Sequence, residues 1–134
     1  MNIKETPFGE AKLYIGSVRG YRGLPFSEAQ LTRVVQDFQK SWDEKWDWTC
    51  AVRITKTSFV CMDYQENGWE IAAINYPRFP REPKQMKDFF TELREHLMIE
   101  FGQNRITVTL DFMNAGEMRR HSMGEREEAE QCHR

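Results

Sequence analysis

The stretch TCAVRITKTSFVCMDYQENGWEIAAINY, residues 49–76, decides the fold. It is dense in Val, Ile, Thr and aromatic residues, which suit a pleated, half-buried surface. Residues 49–64 read as one long strand, with a kink allowed between Thr55 and Thr57, and residues 69–76 as its return. Asn67-Gly68 stands between the two runs as a hairpin signal, because both central positions of the tightest hairpin turn take positive φ. If the long run splits, the sheet gains a strand and the class survives.

Upstream, KLYIGSV (residues 12–18) alternates, with Leu13 and Ile15 on one face and Tyr14 and Gly16 on the other. Gly20, Gly23 and Pro25 mark a loop. Ser27 with Gln30 three positions later has the form of a capping box, and Leu31, Val34, Val35 and Phe38 follow at helical spacing, so a helix is expected over about residues 28–42. Residues 43–48 turn the chain. Downstream, Pro77, Pro80 and Pro83 end the return strand, and Pro83 fits a first helical turn, where a missing N–H costs nothing. Met86, Phe89, Phe90, Leu93, Leu97 and Phe101 form the apolar stripe of a second helix that stops at Gly102. RITVTLDF (residues 105–112) then alternates as a final strand. The order β-α-β-β-α-β is that of the ferredoxin-like plait, an α+β fold whose antiparallel sheet carries two helices on one face. Residues 1–113 read as a single domain. Residues 114–134 are charged and nearly free of aliphatics, and are expected to be a flexible C-terminal tail.

Bulk properties exclude several functions. A chain of 134 residues that is 40% hydrophobic suits one domain with a real core. A net charge of -2 and a pI near 6.0 argue against general nucleic-acid binding, which needs a basic field. The three cysteines, Cys50, Cys61 and Cys132, contain no CxxC pair, so neither a metal site, a redox dithiol nor any other cofactor is expected. Free thiols in strand-like runs fit a reducing, cytoplasmic location. Met1 to Glu10 has no apolar core of a secretory signal, and no apolar run approaches the roughly 20 residues that span a bilayer.

No catalytic constellation emerges. His96 falls within the second helix pattern and reads as a surface residue; His121 and His133 lie in the tail. HExxH, GxSxG and glycine-rich phosphate loops are absent from the sequence. No catalytic residue is assigned, and the chain reads as a binding protein rather than an enzyme. Two strand arginines, Arg53 in AVRIT and Arg105 in NRITV, share parity with Thr55, Thr107 and Thr109, and an arginine fork beside threonine hydroxyls suits a phosphate or carboxylate. The two arginines belong to separate places on one sheet or meet across a dimer; solvated edge-strand charge is the plainer explanation of both. INYPRFPREPK (residues 74–84) offers Asn75, Tyr76, Arg78, Phe79, Arg81 and Lys84 on a proline-stiffened loop entering a helix, where an anion or a protein partner can dock. Trp42, Trp46 and Trp48 cluster nearby; two of them are expected to cap the core, leaving Trp46 exposed.

The paired VRIT and NRIT arginines, the plait order and the small size resemble phage anti-defence proteins that sequester nucleotide signals, of the Thoeris anti-defence sponge type. The resemblance spans residues 12–112 by pattern and rests on Arg53, Arg105 and Phe79. It implies a homo-oligomeric, metal-free trap that holds a nucleotide-like small molecule without turnover. The resulting expectation is capture of a phosphate-bearing small molecule through Arg53, Arg105, Thr107, Asn75, Tyr76, Arg78 and Phe79. The alternative is a protein–protein inhibitor acting on a protein target through the tryptophan cluster and the NYPRFP loop.

Overall fold

A computed structural model describes residues 8–18, 23–114 and 117–123. The elements run β1 (Gly9–Gly16), α1 (Glu28–Trp46), β2 (Arg53–Cys61), β3 (Tyr64–Ile74), α2 (Pro83–Glu100), β4 (Thr107–Asn114) and β5 (Glu117–Met123). One sheet takes the order β2-β3-β1-β4-β5, and every pairing is antiparallel. The arrangement is consistent with a ferredoxin-like α+β fold.

The alternation of β1 organises both faces of the sheet. Ala11, Leu13 and Ile15 are fully buried. Leu13 stands opposite Ile71 on β3 and Val108 on β4, and Ala11 opposite Ala73 and Leu110. These residues join Leu31 and Val35 of α1 and Met86, Phe89, Phe90, Leu93 and Leu97 of α2 in one core. Both helices therefore cover the Leu13 face. The opposite parity, Glu10, Lys12 and Tyr14, lies on the face that the helices do not cover.

Local chemistry explains the helix ends. Ser27 Oγ accepts from the Gln30 N–H, and Gln30 Oε1 accepts from the Ser27 N–H, completing the capping box. α1 continues past residue 42, because nothing in the sequence from Asp43 to Trp46 breaks a helix; it ends where Asp47 turns into the left-handed region at φ 63°. The extra turn lets Trp42 pack against Trp48 and Phe89, with ring centroids 5.4 Å apart in both pairs. Trp46 stays 52% exposed. His96 is half-buried and stacks near Phe38 at 5.4 Å.

Two sequence expectations change. Asn67-Gly68 is not the hairpin turn. The β2–β3 register closes at Cys61 opposite Tyr64, so Met62 and Asp63 make the turn, with Met62 at φ 54°. Gly68 lies inside β3, opposite Gly16 on one side and Thr57 on the other. Its glycine is required by close approach rather than by positive φ: a Cβ there would stand 2.1 Å from the Ile15 carbonyl oxygen. The second change is a fifth strand. Within the expected tail, Glu117–Met123 pairs with β4 from Asn114 opposite Glu117 to Val108 opposite Met123. Residues 124–134 lie outside the described residues.

These placements separate two substitutions. Gly68→Ala is expected to cost about 1–3 kcal/mol in urea unfolding, because a backbone atom cannot move aside as a side chain does. Asn67→Ala, at an exposed strand position, is expected to stay within about 0.5 kcal/mol.

Candidate functional site

The uncovered face of the sheet gathers charge in three cross-strand rows. Thr55, Glu70, Tyr14 and Thr107 are in register, as are Arg53, Ala72, Lys12 and Thr109, and then Ile74, Glu10 and Asp111. Glu10 sits at the junction. Its carboxylate accepts from Arg53 Nη2 at 2.8 Å and lies 3.3 Å from Lys12 Nζ. Lys12 also reaches Glu70 at 3.8 Å. Glu10, Lys12, Tyr14, Thr109 and Asp111 line a polar depression of about 220 Å³. Beside it the Tyr14 ring meets the edge of Phe59 at 5.2 Å. Phe59 lies two pairs beyond the Thr57–Gly68 pair, and the side chain of Glu66, its cross-strand partner, occupies the space over Gly16.

The ionisations on this face are mutually locked. Partial burial works against the Glu10 carboxylate, but hydrogen bonds from Arg53 and Lys12 and their positive charges outweigh it and hold Glu10 below its ordinary value of 4.5. Burial likewise opposes the Lys12 ammonium, and Glu10, with Glu70 and Tyr14, overrides it and raises Lys12 above 10.5. The hydrogen bond to Glu10 raises Arg53, against a smaller effect of burial. Such convergence of perturbed groups is a mark of functional sites as well as of structural ion pairs.

A second feature lies beyond the end of β3. The NYPRFPR loop folds against the C-terminal half of α1 and the segment before β2, leaving a cleft of about 730 Å³ lined by Trp48, Tyr76, Phe79 and Arg81, among others. Asn75 fixes the loop: its Oδ1 accepts from the Arg81 N–H at 2.7 Å, and its own N–H donates to Gly9 O at 2.7 Å. The Phe79 N–H donates to Tyr76 O, and Arg78 lies over the Phe79 ring at 5.5 Å. Phe79 is 61% exposed. Cys50 also lines this cleft, but burial, only partly offset by the Arg81 charge, pushes its thiol up to about 12, which favours the protonated thiol at neutral pH.

The residues expected from the sequence thus fall in separate places. Arg53 and Thr107 lie on the open sheet face, Arg53 already engaged by Glu10 and Thr107 only 5% exposed. Asn75, Tyr76, Arg78 and Phe79 share the loop. Arg105 precedes β4, and its strand is separated from that of Arg53 by β3 and β1. The two arginines do not meet within one chain. Sequence reasoning missed Glu10, Lys12, Glu70 and Asp111. The signal was present: Glu10, Lys12 and Tyr14 alternate with Ala11, Leu13 and Ile15, but Glu10 reads as part of an N-terminal arm unless β1 is begun at Gly9. Among the described residues, no group of three or more His, Cys, Asp or Glu side chains is placed to hold a metal ion, and no helix is long and apolar enough to cross a membrane.

No family model and no curated protein matches this chain. Among solved structures it is similar to a phage SAM lyase in its apo state, with a TM-score of 0.56 and 14% identity over 92% of this chain and 94% of that one. It is similar also to a phage SAM lyase in complex with S-methyl-5'-thioadenosine, with a TM-score of 0.55 and 14% identity over the same shares of each chain. At that identity the likeness establishes a shared fold.

Because Glu10 is held below its ordinary value, the stability it contributes is present above its unfolded pKa near 4.5 and is lost as pH falls through the lower folded value. Glu10→Gln is expected to lower the melting temperature at pH 7 by about 2–4 °C, a figure kept small because the Arg53 side chain is 44% exposed and solvent screens the pair. Melting curves of the two proteins are expected to converge as the pH is taken well below 4.5.

Proposed function

We propose that this chain binds a nucleoside-type small molecule on the open face of its sheet, and that the ligand carries positive charge, as S-adenosylmethionine does. The observation that carries this reading is the Glu10–Lys12–Glu70–Arg53 network. Its two cations are already engaged by carboxylates, so this face has little to offer the phosphate that the sequence alone pointed to. Carboxylates in a partly desolvated depression suit instead a sulfonium or ammonium centre. The depression takes the charged end, and Tyr14 with Phe59 gives the ring a surface beside it. The fold shared with two phage proteins named for SAM lyase activity, one of them holding S-methyl-5'-thioadenosine, supports the same ligand class. A phage anti-defence setting, a homo-oligomeric state and a cytoplasmic location, all expected from the sequence, belong to this reading. The exposed rings of Trp46 and Phe79 favour a second reading, docking to a target protein.

Calorimetric titration of the purified protein with S-adenosylmethionine, S-methyl-5'-thioadenosine and a cyclic dinucleotide discriminates these. Saturable binding of the sulfonium compound is expected, weakened about tenfold or more in Asp111→Asn, with a smaller effect on the neutral thioether. Mass analysis of the recovered ligand then separates capture from turnover: intact ligand marks a binding protein, whereas conversion to the thioether marks an enzyme. Tighter binding of the cyclic dinucleotide restores the phosphate reading, and binding of none of the three sinks the small-molecule reading and turns attention to a protein target.

A further inference from the structure

The cleft beside the NYPRFPR loop is chemically distinct from the sheet face and remains without an assignment. Its walls are Trp48, Tyr76 and Phe79, and its volume of about 730 Å³ lies within the range of small-molecule sites. Arg81 is the informative residue. It is half-buried, and it is held from several directions: its backbone N–H donates to Asn75 Oδ1, Nε to Thr49 O at 3.2 Å and Nη1 to Pro80 O at 3.3 Å. The guanidinium lies over the Trp48 ring at 5.4 Å. Its hydrogen-bond acceptors are all neutral oxygens. Among the described residues no carboxylate lies within 4.0 Å of it, and no hydrogen bond uses Nη2. A partly desolvated guanidinium fixed in one orientation, with its charge uncompensated and a donor unused, is preorganised for an anion. Thr49, which also lines the cleft and whose backbone oxygen accepts from Arg81 Nε, has a buried hydroxyl without a hydrogen-bond partner.

Two carboxylates, Asp43 and Asp47, stand elsewhere in the lining, with Lys40. They disfavour a doubly charged phosphate and leave room for a single negative charge placed at Arg81. We propose that this cleft is a second binding site, for a small planar-ring carboxylate: the carboxylate pairs with Arg81 and the ring lies among Trp48, Tyr76 and Phe79. Arg78, 5.5 Å from the Phe79 ring centroid, steadies this exposed wall. This site is independent of the sheet face, where the cations are already paired.

Indole-3-acetate and tryptamine, which share an indole ring and differ in the sign of their charge, serve as probes together with adenosine monophosphate, a ring-bearing phosphate, titrated by calorimetry or ligand-observed NMR. Indole-3-acetate is expected to bind with a Kd on the order of 1 mM or tighter, the range that a ligand of its size reaches, with tryptamine and the phosphate at least about tenfold weaker. Arg81→Gln is expected to lose about tenfold or more. Phe79→Ala changes an exposed side chain, so it is expected to leave the melting temperature unchanged and to weaken indole-3-acetate several-fold, which keeps the test valid if Arg81→Gln folds poorly. Asp111→Asn is expected to leave this binding intact. Tighter binding of the phosphate, equal binding of the carboxylate and the amine, or no saturation of the wild-type protein overturns the proposal. If indole-3-acetate binds as expected while S-adenosylmethionine does not, only the sheet-face reading fails.

Discussion

The structure depends on the two-residue period of β1. This central strand pairs with β3 on one side and β4 on the other, and its alternate residues have opposite fates. Ala11, Leu13 and Ile15 meet the helices with no exposure; Glu10, Lys12 and Tyr14 meet solvent and one another. A slip of one residue would put Lys12 against Phe89 and Phe90 and expose Leu13, so the register is strongly specified. The same alternation that builds the core therefore also assembles the charged face, and the site needs no separate scaffold.

Much of this was legible in the sequence. The apolar spacing of both helices, the Ser27–Gln30 capping box and the alternation of residues 105–112 are local signals, and local signals set these elements. The expected division of the tryptophans was also legible, because Trp42 and Trp48 are reached from the core side while Trp46 ends the helix on its solvent side. What failed was the reading of Asn67-Gly68. A glycine after an asparagine marks a turn only if the chain turns there; here the glycine serves a neighbour, the Ile15 carbonyl, which is distant in sequence. The turn fell instead to Met62-Asp63, a pair with no such signature.

The site was less legible than the fold for a related reason. Arg53 drew notice as an isolated cation in an apolar run, but its meaning depends on Glu10, which is 43 residues away. Glu70 and Asp111 sit in strands where a single acidic residue reads as ordinary solvent-facing alternation. Only the strand order brings three carboxylates and two cations to one side of one sheet. Conversely, the NYPRFPR loop was legible as a special segment, because its prolines and rings are contiguous, whereas the anchoring of Arg81 to Thr49 required the fold.

Asn75 gives the molecule a mechanical property of its own. Its backbone is tied to Gly9, the residue before Glu10, and its side chain to the backbone of Arg81. One amide residue thus forms the joint between the first strand of the sheet and the loop that walls the cleft. The charged face and the aromatic cleft are built from different side chains, yet the backbone that carries them is joined at this one residue.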